Sequence, residues 1–339
     1  MLKQFFPLLL FIKYLFEKLF FKAVTMNRFY FFITILNLFI FTFSQKILIV
    51  TLSYNRADFI EIQNKTFKKF LKDDYEFVVF NDAPDLSENE KSITNICKKL
   101  NIRHIRIPQS LHEKTVSCRP LNDLKSPSNV RHANAINYFL QNLGFDHNGI
   151  VVLIDSDIFL VRPFSIVKYM EDFDLATSYL VANFNGINIS YLSPHLIFFN
   201  MEKLPDKKNI NFNCGNFNGF SVDVGGYTYY YLQNHPNLKI STIDNHMYSY
   251  NLFCPDFYGP KNRPDMNLPK EVQISKLSSY GFNENEIKFL QKKPDTIQYM
   301  LKCHFFHFRC GTNYDNFSKN FIENKIKLVN EYLEDILNS

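Results

Sequence analysis

"IVVLIDSDIFLVRPF", residues 150–164, decides how the rest of the chain is read. Five apolar residues lead straight into Asp155 and Asp157, and the chain then turns apolar again. A short β-branched run of this kind reads as a strand buried on both faces, as parallel strands are. In an extended chain residues i and i+2 project to the same side. Asp155 and Asp157 therefore face one way with Ser156 opposite, their Cα atoms about 6–7 Å apart. Two unpaired carboxylates at the end of a buried strand repel each other and are costly to desolvate. A divalent cation removes that cost, and hard oxygen ligands favour Mg²⁺ or Mn²⁺, with phosphate and water filling the remaining shell. The plainer reading is a turn or helix cap, since Asp is common after strands.

Working outward, the segments before this strand alternate. "KILIVTLSY" from Lys46 is a continuous apolar run, "ADFIEIQNKTFKKFLK" has apolar residues at helical spacing, and "YEFVVFND" is a second strand. "ENEKSITNICKKLN" reads as a helix, "IRHIRIP" as a short strand, Ser110 to Ser128 as a polar loop, and "NVRHANAINYFLQNLG" as a helix capped by Gly144. This alternation predicts a doubly wound α/β sheet, mostly parallel, with ligands outside the carboxyl ends of its strands. Those ends carry "LSYNR", "FNDAPD" and "DSD". Beyond residue 165 the pattern is looser. "DLATSYLVANF" and "SPHLIFFNMEKLP" read as strands, the latter ending in a short helix. "SVDVGGYTYYYLQNHP" passes from a Gly-Gly turn into a helix, "LKCHFFHFRCGTNYD" holds a short strand, and "NFIENKIKLVNEYLEDIL" is an amphipathic helix.

Composition is globular: 339 residues, 46% hydrophobic and 21% charged, enough apolar material for a sizeable core. The net charge of +5 suits a phosphorylated ligand and lacks the dense basic stripe of a nucleic-acid binder. Six scattered cysteines without C-x-x-C read as ordinary thiols. The N-x-[ST] matches at Asn64, Asn188 and Asn316 are expected by chance in so Asn-rich a chain.

Residues 1–45 stand apart as an N-terminal hydrophobic segment. "FFPLLLFIKYLFEKLFFKAV" carries Lys13, Glu17, Lys18 and Lys22 at helical spacings, as an interfacial amphipathic helix does. "FYFFITILNLFIFTF", Phe29 to Phe43, spans roughly 22 Å against a ~30 Å hydrocarbon core, the length of a signal-peptide core or short signal anchor. The expectation is membrane or secretory-pathway targeting through residues 1–45, with Met26 as an alternative start and a buried N-terminal helix as the rival. The domain then runs over 46–339, a nucleotide-binding half at 46–165 and an acceptor half at 166–339.

The segment "VVLIDSDIFLVRP" resembles the D-x-D element of GT-A fold glycosyltransferases, which bind nucleotide-sugar diphosphates through Mn²⁺ or Mg²⁺. "VTLSYNRADF" resembles their first strand and turn, and "FVVFNDAPD" their second strand. The resemblance implies a nucleotide site built from Tyr54, Asn55, Arg56 and Asp82, with Arg131 and Asn134 on a helix beneath it. It implies Asp157 as principal metal ligand, and Asp155 on metal, ribose or an orienting basic residue. Arg131 would pair with Asp155 or the diphosphate. A histidine often completes the metal shell in these enzymes, and "CHFFHFRCGTNY" offers His307, then His304. Three residues apart in a strand, the two face opposite sides. Gly311 would allow close approach to phosphate. A structural zinc site from Cys303, His304, His307 and Cys310 is the rival, without the usual paired spacing.

For the acceptor half, Asp223 precedes Gly225, Gly226 and a helix, and is a candidate to hold the acceptor or act as base; a plain cap would look the same. His195 lies where acceptor-side residues follow the D-x-D strand in related families. Asp244 and His246 form a further polar pair. Together these imply a metal-dependent transferase moving a sugar from a nucleoside-diphosphate donor, UDP by family preference, to a hydroxyl of a glycan, lipid or protein. The alternatives are a sugar nucleotidyltransferase, which should have a Gly-rich loop where this chain has "SYNRAD", and a non-catalytic binding protein on the same fold.

Overall fold

The computed structural model describes residues 47–113, 127–184, 187–217, 220–243, 245–246, 278, 284, 297–308 and 319–338. The chain divides between Gln45 and Lys46, and every described residue belongs to the second unit. The hydrophobic segment expected over 1–45 lies outside the described residues. Among these, no helix is long and apolar enough to cross a membrane.

The order is β1 (Ile47–Ser53), α1 (Ala57–Phe70), β2 (Tyr75–Asn81), α2 (Glu88–Leu100), β3 (Arg103–Arg106), α3 (Ser110–Glu113), α4 (Pro127–Phe139), β4 (Ile150–Asp155) and β5 (Ile158–Leu160). Then come α5 (Ile166–Met170), β6 (Leu175–Phe184), β7 (Ile187–Asn200), β8 (Gly215–Phe217), β9 (Phe220–Val222), α6 (Thr228–Asn234), β10 (Ile240–Thr242), β11 (Asn245–His246), β12 (Ile297–Met300), β13 (Phe305–Phe308) and α7 (Lys319–Asn338). The main sheet has seven strands in the order β10-β6-β7-β4-β1-β2-β3. All its pairings are parallel except the two made by β7, with β4 and with β6.

Alternation along β1 builds both layers. Ile47 and Ile49 face α1 and α2 through Ile60, Phe67, Ile93 and Cys97. Leu48 and Val50 face α4 through Ala133, Ile136 and Phe139. Helices thus cover both faces, the doubly wound α/β arrangement expected, and β1 carries apolar residues on both sides because neither side meets water. Chain order reverses at β1, which has β2 on one side and β4 on the other, and the carboxyl ends there open the crevice where such sheets bind ligands.

A second sheet, β11-β12-β13-β5, begins where the chain leaves β4. Phe159, Tyr299, Phe306 and Phe308 pack there against Val329, Tyr332 and Leu333 of α7, so the C-terminal amphipathic helix closes the far side of β13. Tyr299 and Tyr332 share a 2.6 Å hydroxyl–hydroxyl bond inside this cluster.

Several expectations need adjustment. Ser110–Glu113 is a helical turn rather than loop, and α4 starts at Pro127, a residue suited to the first turn. Gly144 is no left-handed cap. The helix ends in a π-turn over Leu140–Gly144, and a Cβ at 144 would lie 3.1 Å from both Leu140 Cδ2 and Phe139 Cε2, a tight fit that those side chains would have to relax by a few tenths of an ångström to admit. β7 begins at Ile187, well before "SPHLIFFN", and runs through Pro194. The segment after it makes turns and a 3₁₀ turn at Lys207–Asn209 in place of the expected short helix.

Candidate metal and nucleotide site

β4 ends on Asp155 in the main sheet, and β5 starts at Ile158 in the second. The chain changes sheets across Ser156 and Asp157. β13 runs antiparallel to β5 with His307 opposite Ile158, and Phe308 N donates to Asp157 O at 2.8 Å. This register sets His307 Nε2 3.5 Å from Asp157 Oδ1, with the two side chains 6% and 8% exposed. One ligand atom from each of Asp155, Asp157 and His307 lies within 4.8 Å of the others. Ligands at 2.0–2.1 Å from a small divalent ion are at most about 4.2 Å apart, so modest rotation of these side chains closes the shell. Two carboxylates and an imidazole fit Mn²⁺ well and Mg²⁺ acceptably.

His304 lies in the turn before β13, outside the strand, and does not join His307 at the site. Its ring packs on Phe164 at 5.1 Å between centroids. Burial, then the charge of Arg162, holds His304 below the ordinary histidine range. Cys303 is buried in the apolar cluster that α7 closes. The described members of the rival zinc set therefore do not converge, and Cys310 lies outside the described residues.

Asp155 sits between two histidines. His195 Nδ1 donates to its Oδ2 at 3.1 Å, and His132 Nε2 lies 3.5 Å from its Oδ1. The His195 and His307 rings are 5.4 Å apart, so β7 and β13 supply histidines to adjoining parts of one site. Burial pushes the Asp155 carboxyl up. The His195 hydrogen bond, with the charges of His132, His195 and His307, outweighs burial and leaves it below its ordinary value.

Arg131 does not pair with Asp155. Its Nε donates to Asp82 Oδ2 at 2.8 Å and its Nη2 to Gln109 Oε1 at 2.8 Å, while His112 Nε2 donates to Asp82 Oδ1 at 2.7 Å. The reason is helical phase: consecutive residues of α4 diverge by ~100°, so Arg131 reaches β2 while His132 reaches β4. Tyr54, 40% exposed, lies over the Arg131 guanidinium at 4.8 Å, a cation–π contact forming a flat platform at the end of β1.

Other expected nucleotide residues turn inward. Arg56 is buried, its guanidinium 3.3 Å from the Phe59 ring centroid and donating to Asp58. Asn134 is buried and donates to Leu111 O at 3.4 Å. Asn55 is half-buried in the turn after β1. Gly311 and Asp244 lie outside the described residues, and His246 pairs with Tyr299 through the backbone of β11.

Asp223 is exposed, and its Oδ1 accepts from Asn129 Nδ2 at 2.6 Å and from Val224 N at 2.8 Å. Asn129, Arg131 and His132, on one stretch of α4, thus meet Asp223, Asp82 and Asp155 in turn. Sequence reading missed Asn129, His132, His112 and Gln109. The signal available was a polar i, i+3 pair, Asn129 and His132, on a helix whose inward residues are Ala133, Ile136 and Phe139.

Solved structures similar to this chain include the galactosyltransferase LgtC, solved with donor and acceptor sugar analogs. It matches at 13% identity over 84% of this chain and 95% of that one, TM-score 0.37. Glucosyl-3-phosphoglycerate synthase from Mycobacterium tuberculosis, solved with Mn²⁺, UDP-glucose and phosphoglyceric acid, matches at 16% identity over 59% of this chain and 69% of that one, TM-score 0.33. The mannosyltransferase Ktr4p from S. cerevisiae matches at 13% identity over 42% of this chain and 41% of its own length, TM-score 0.30. No family model matches the sequence, and no curated protein does.

Proposed function

We propose that the chain is a metal-dependent glycosyltransferase that moves a sugar from a nucleoside-diphosphate donor, UDP foremost, to an acceptor hydroxyl on a glycan, lipid or protein. The observation that carries the reading is the convergence of Asp155, Asp157 and His307 at the carboxyl end of β4. That position, beside the reversal of chain order, is where an open α/β sheet receives a nucleotide.

Asp157 and His307 would hold Mn²⁺ or Mg²⁺, with Asp155 completing the protein ligands. When bound, such a cation neutralises charge on the departing diphosphate. His195 and His132 keep the Asp155 carboxylate ionised and fixed in direction. Tyr54, backed by Arg131, offers a ring face to a nucleobase. Asp82 is engaged by Arg131 and His112 and acts by setting that platform, not by meeting the base. Asp223 Oδ1 is occupied by Asn129 and Val224 N, and its Oδ2 would take the proton from the acceptor hydroxyl. Residues 1–45 would bring the domain to a membrane, which partition of the full chain on cell fractionation tests directly.

Isothermal titration of UDP, GDP and CMP into the full chain, with and without Mn²⁺, tests the donor site, with Asp157→Ala as control. One nucleotide bound only with metal and Asp157 intact is the expected result. Binding indifferent to both would sink the proposal.

A further inference from the structure

The buried residues of α1 are Phe59, Ile60, Gln63, Asn64, Thr66, Phe67 and Phe70, and Gln63 is fully buried among them. A buried amide is costly unless hydrogen-bonded, and an apolar residue would suit this face better on packing grounds alone. Gln63 Nε2 donates to Asp155 O and to Ile158 O, both at 2.9 Å. One nitrogen therefore spans the whole corner between the two sheets. From the other side, Phe308 N binds Asp157 O at 2.8 Å. The Asp155 and Ile158 carbonyls, at the end of β4 and the start of edge strand β5, are thus bound from α1, and the Asp157 carbonyl from β13. Both candidate carboxylates hang from this corner, so its backbone sets their aim. Among the described residues the Gln63 Oε1 atom has no hydrogen-bond partner, so the amide's hydrogen bonds there are those its N–H groups make to the corner.

We infer that Gln63 is the positioning residue of the metal-binding corner, holding Asp155 and Asp157 in a ligating geometry by clasping the backbone between them. This rests on the metal-dependent reading above and assigns no contact between Gln63 and metal or substrate. Residues that orient ligands from behind typically matter about 10–100-fold in metal affinity.

The test is Mn²⁺ titration of the full chain, following free Mn²⁺ by electron paramagnetic resonance, with thermal unfolding measured in parallel. Four proteins are compared: wild type, Asp157→Ala, Gln63→Met and Thr66→Val. Methionine keeps the unbranched shape of Gln63 and removes its donors. Thr66 is also buried on α1, and its Oγ1 donates to Gln63 O at 2.9 Å without touching the corner. Gln63→Met should weaken Mn²⁺ by about 10–100-fold. Thr66→Val should lower Tm and leave Mn²⁺ affinity unchanged. Wild-type affinity in Gln63→Met overturns the inference, as does equal weakening in Thr66→Val, which would mean that softening α1 suffices. Should Gln63→Met fail to fold, Gln63→Leu, matched to the apolar face around it, is held to the same result. Mn²⁺ binding that Asp157→Ala abolishes and Gln63→Met retains sinks the inference alone; a wild type that binds no Mn²⁺ sinks the functional reading and the inference together.

Discussion

Arg131 and Asp82 are joined through both guanidinium and carboxylate faces, Nε to Oδ2 at 2.8 Å and Nη2 to Oδ1 at 3.1 Å, beneath the ring of Tyr54. Asp82 is nearly enclosed, and His112 binds its Oδ1 as well, at 2.7 Å. Removing one member of such a cluster strands the others in a dry environment. Arg131→Met should therefore cost about 2–4 kcal/mol in urea unfolding. Adding Asp82→Asn should recover part of that loss, so a double-mutant cycle will read less than the sum.

His307 reaches Asp157 only because β13 pairs with β5. His307→Ala should weaken Mn²⁺ by more than about 10-fold, and Mn²⁺-dependent nucleotide binding should weaken with it. Calorimetry with Mn²⁺ alone, and with nucleotide in the presence of Mn²⁺, reads both. Wild-type Mn²⁺ affinity in His307→Ala would place His307 in the core alone.

Gly225 has φ +92°, and a Cβ there would lie 2.3 Å from Leu192 O, a backbone atom of β7. The clash cannot be relieved by a side-chain rotation. Gly225→Ala should lose about 1–3 kcal/mol and disturb the turn that carries Asp223. Chemical denaturation and acceptor-dependent turnover, measured together, check both effects.

His304 is held below its ordinary value by burial and by Arg162. A histidine that is harder to protonate when folded adds stability above the unfolded pKa of about 6.5. That contribution is lost as pH falls from there through the folded value. The Tm of the wild type should drop as pH falls below about 6.5, and His304→Phe, which keeps the ring against Phe164, should flatten that limb.

Cys97 is wholly buried, and its thiol is pushed up to about 12 by burial. Only the thiolate is reactive. It should resist iodoacetamide at pH 8 in the native protein and react once urea unfolds the chain, as peptide mass mapping will show.

The strand-and-helix alternation before residue 165 was legible because each element there carries a complete local signal. β1 and β4 are continuous apolar runs, and α2 opens on Ser87, whose hydroxyl accepts from Glu90 N at 3.1 Å, and closes on left-handed Asn101. Strand parity was expected to part His304 from His307, but His304 lies in the turn before β13, so it is the turn that separates them. Beyond 165, the long β6–β7 pair is held by cross-strand partners rather than by its own pattern, and its full extent could not be read.

By itself, the sequence determined that two carboxylates leave a buried strand on one side and that an α/β sheet surrounds them. Backbone periodicity and the cost of buried charge suffice for that. Tertiary structure alone decided their companions. Gln63 precedes Asp155 by 92 residues, His195 follows it by 40, and His307 joins only through the pairing of β13 with β5. Whether Arg131 or His132 meets Asp155 turned on the rotation of α4 about its axis. Packing of Ala133, Ile136 and Phe139 against β1 and β2 fixes that rotation.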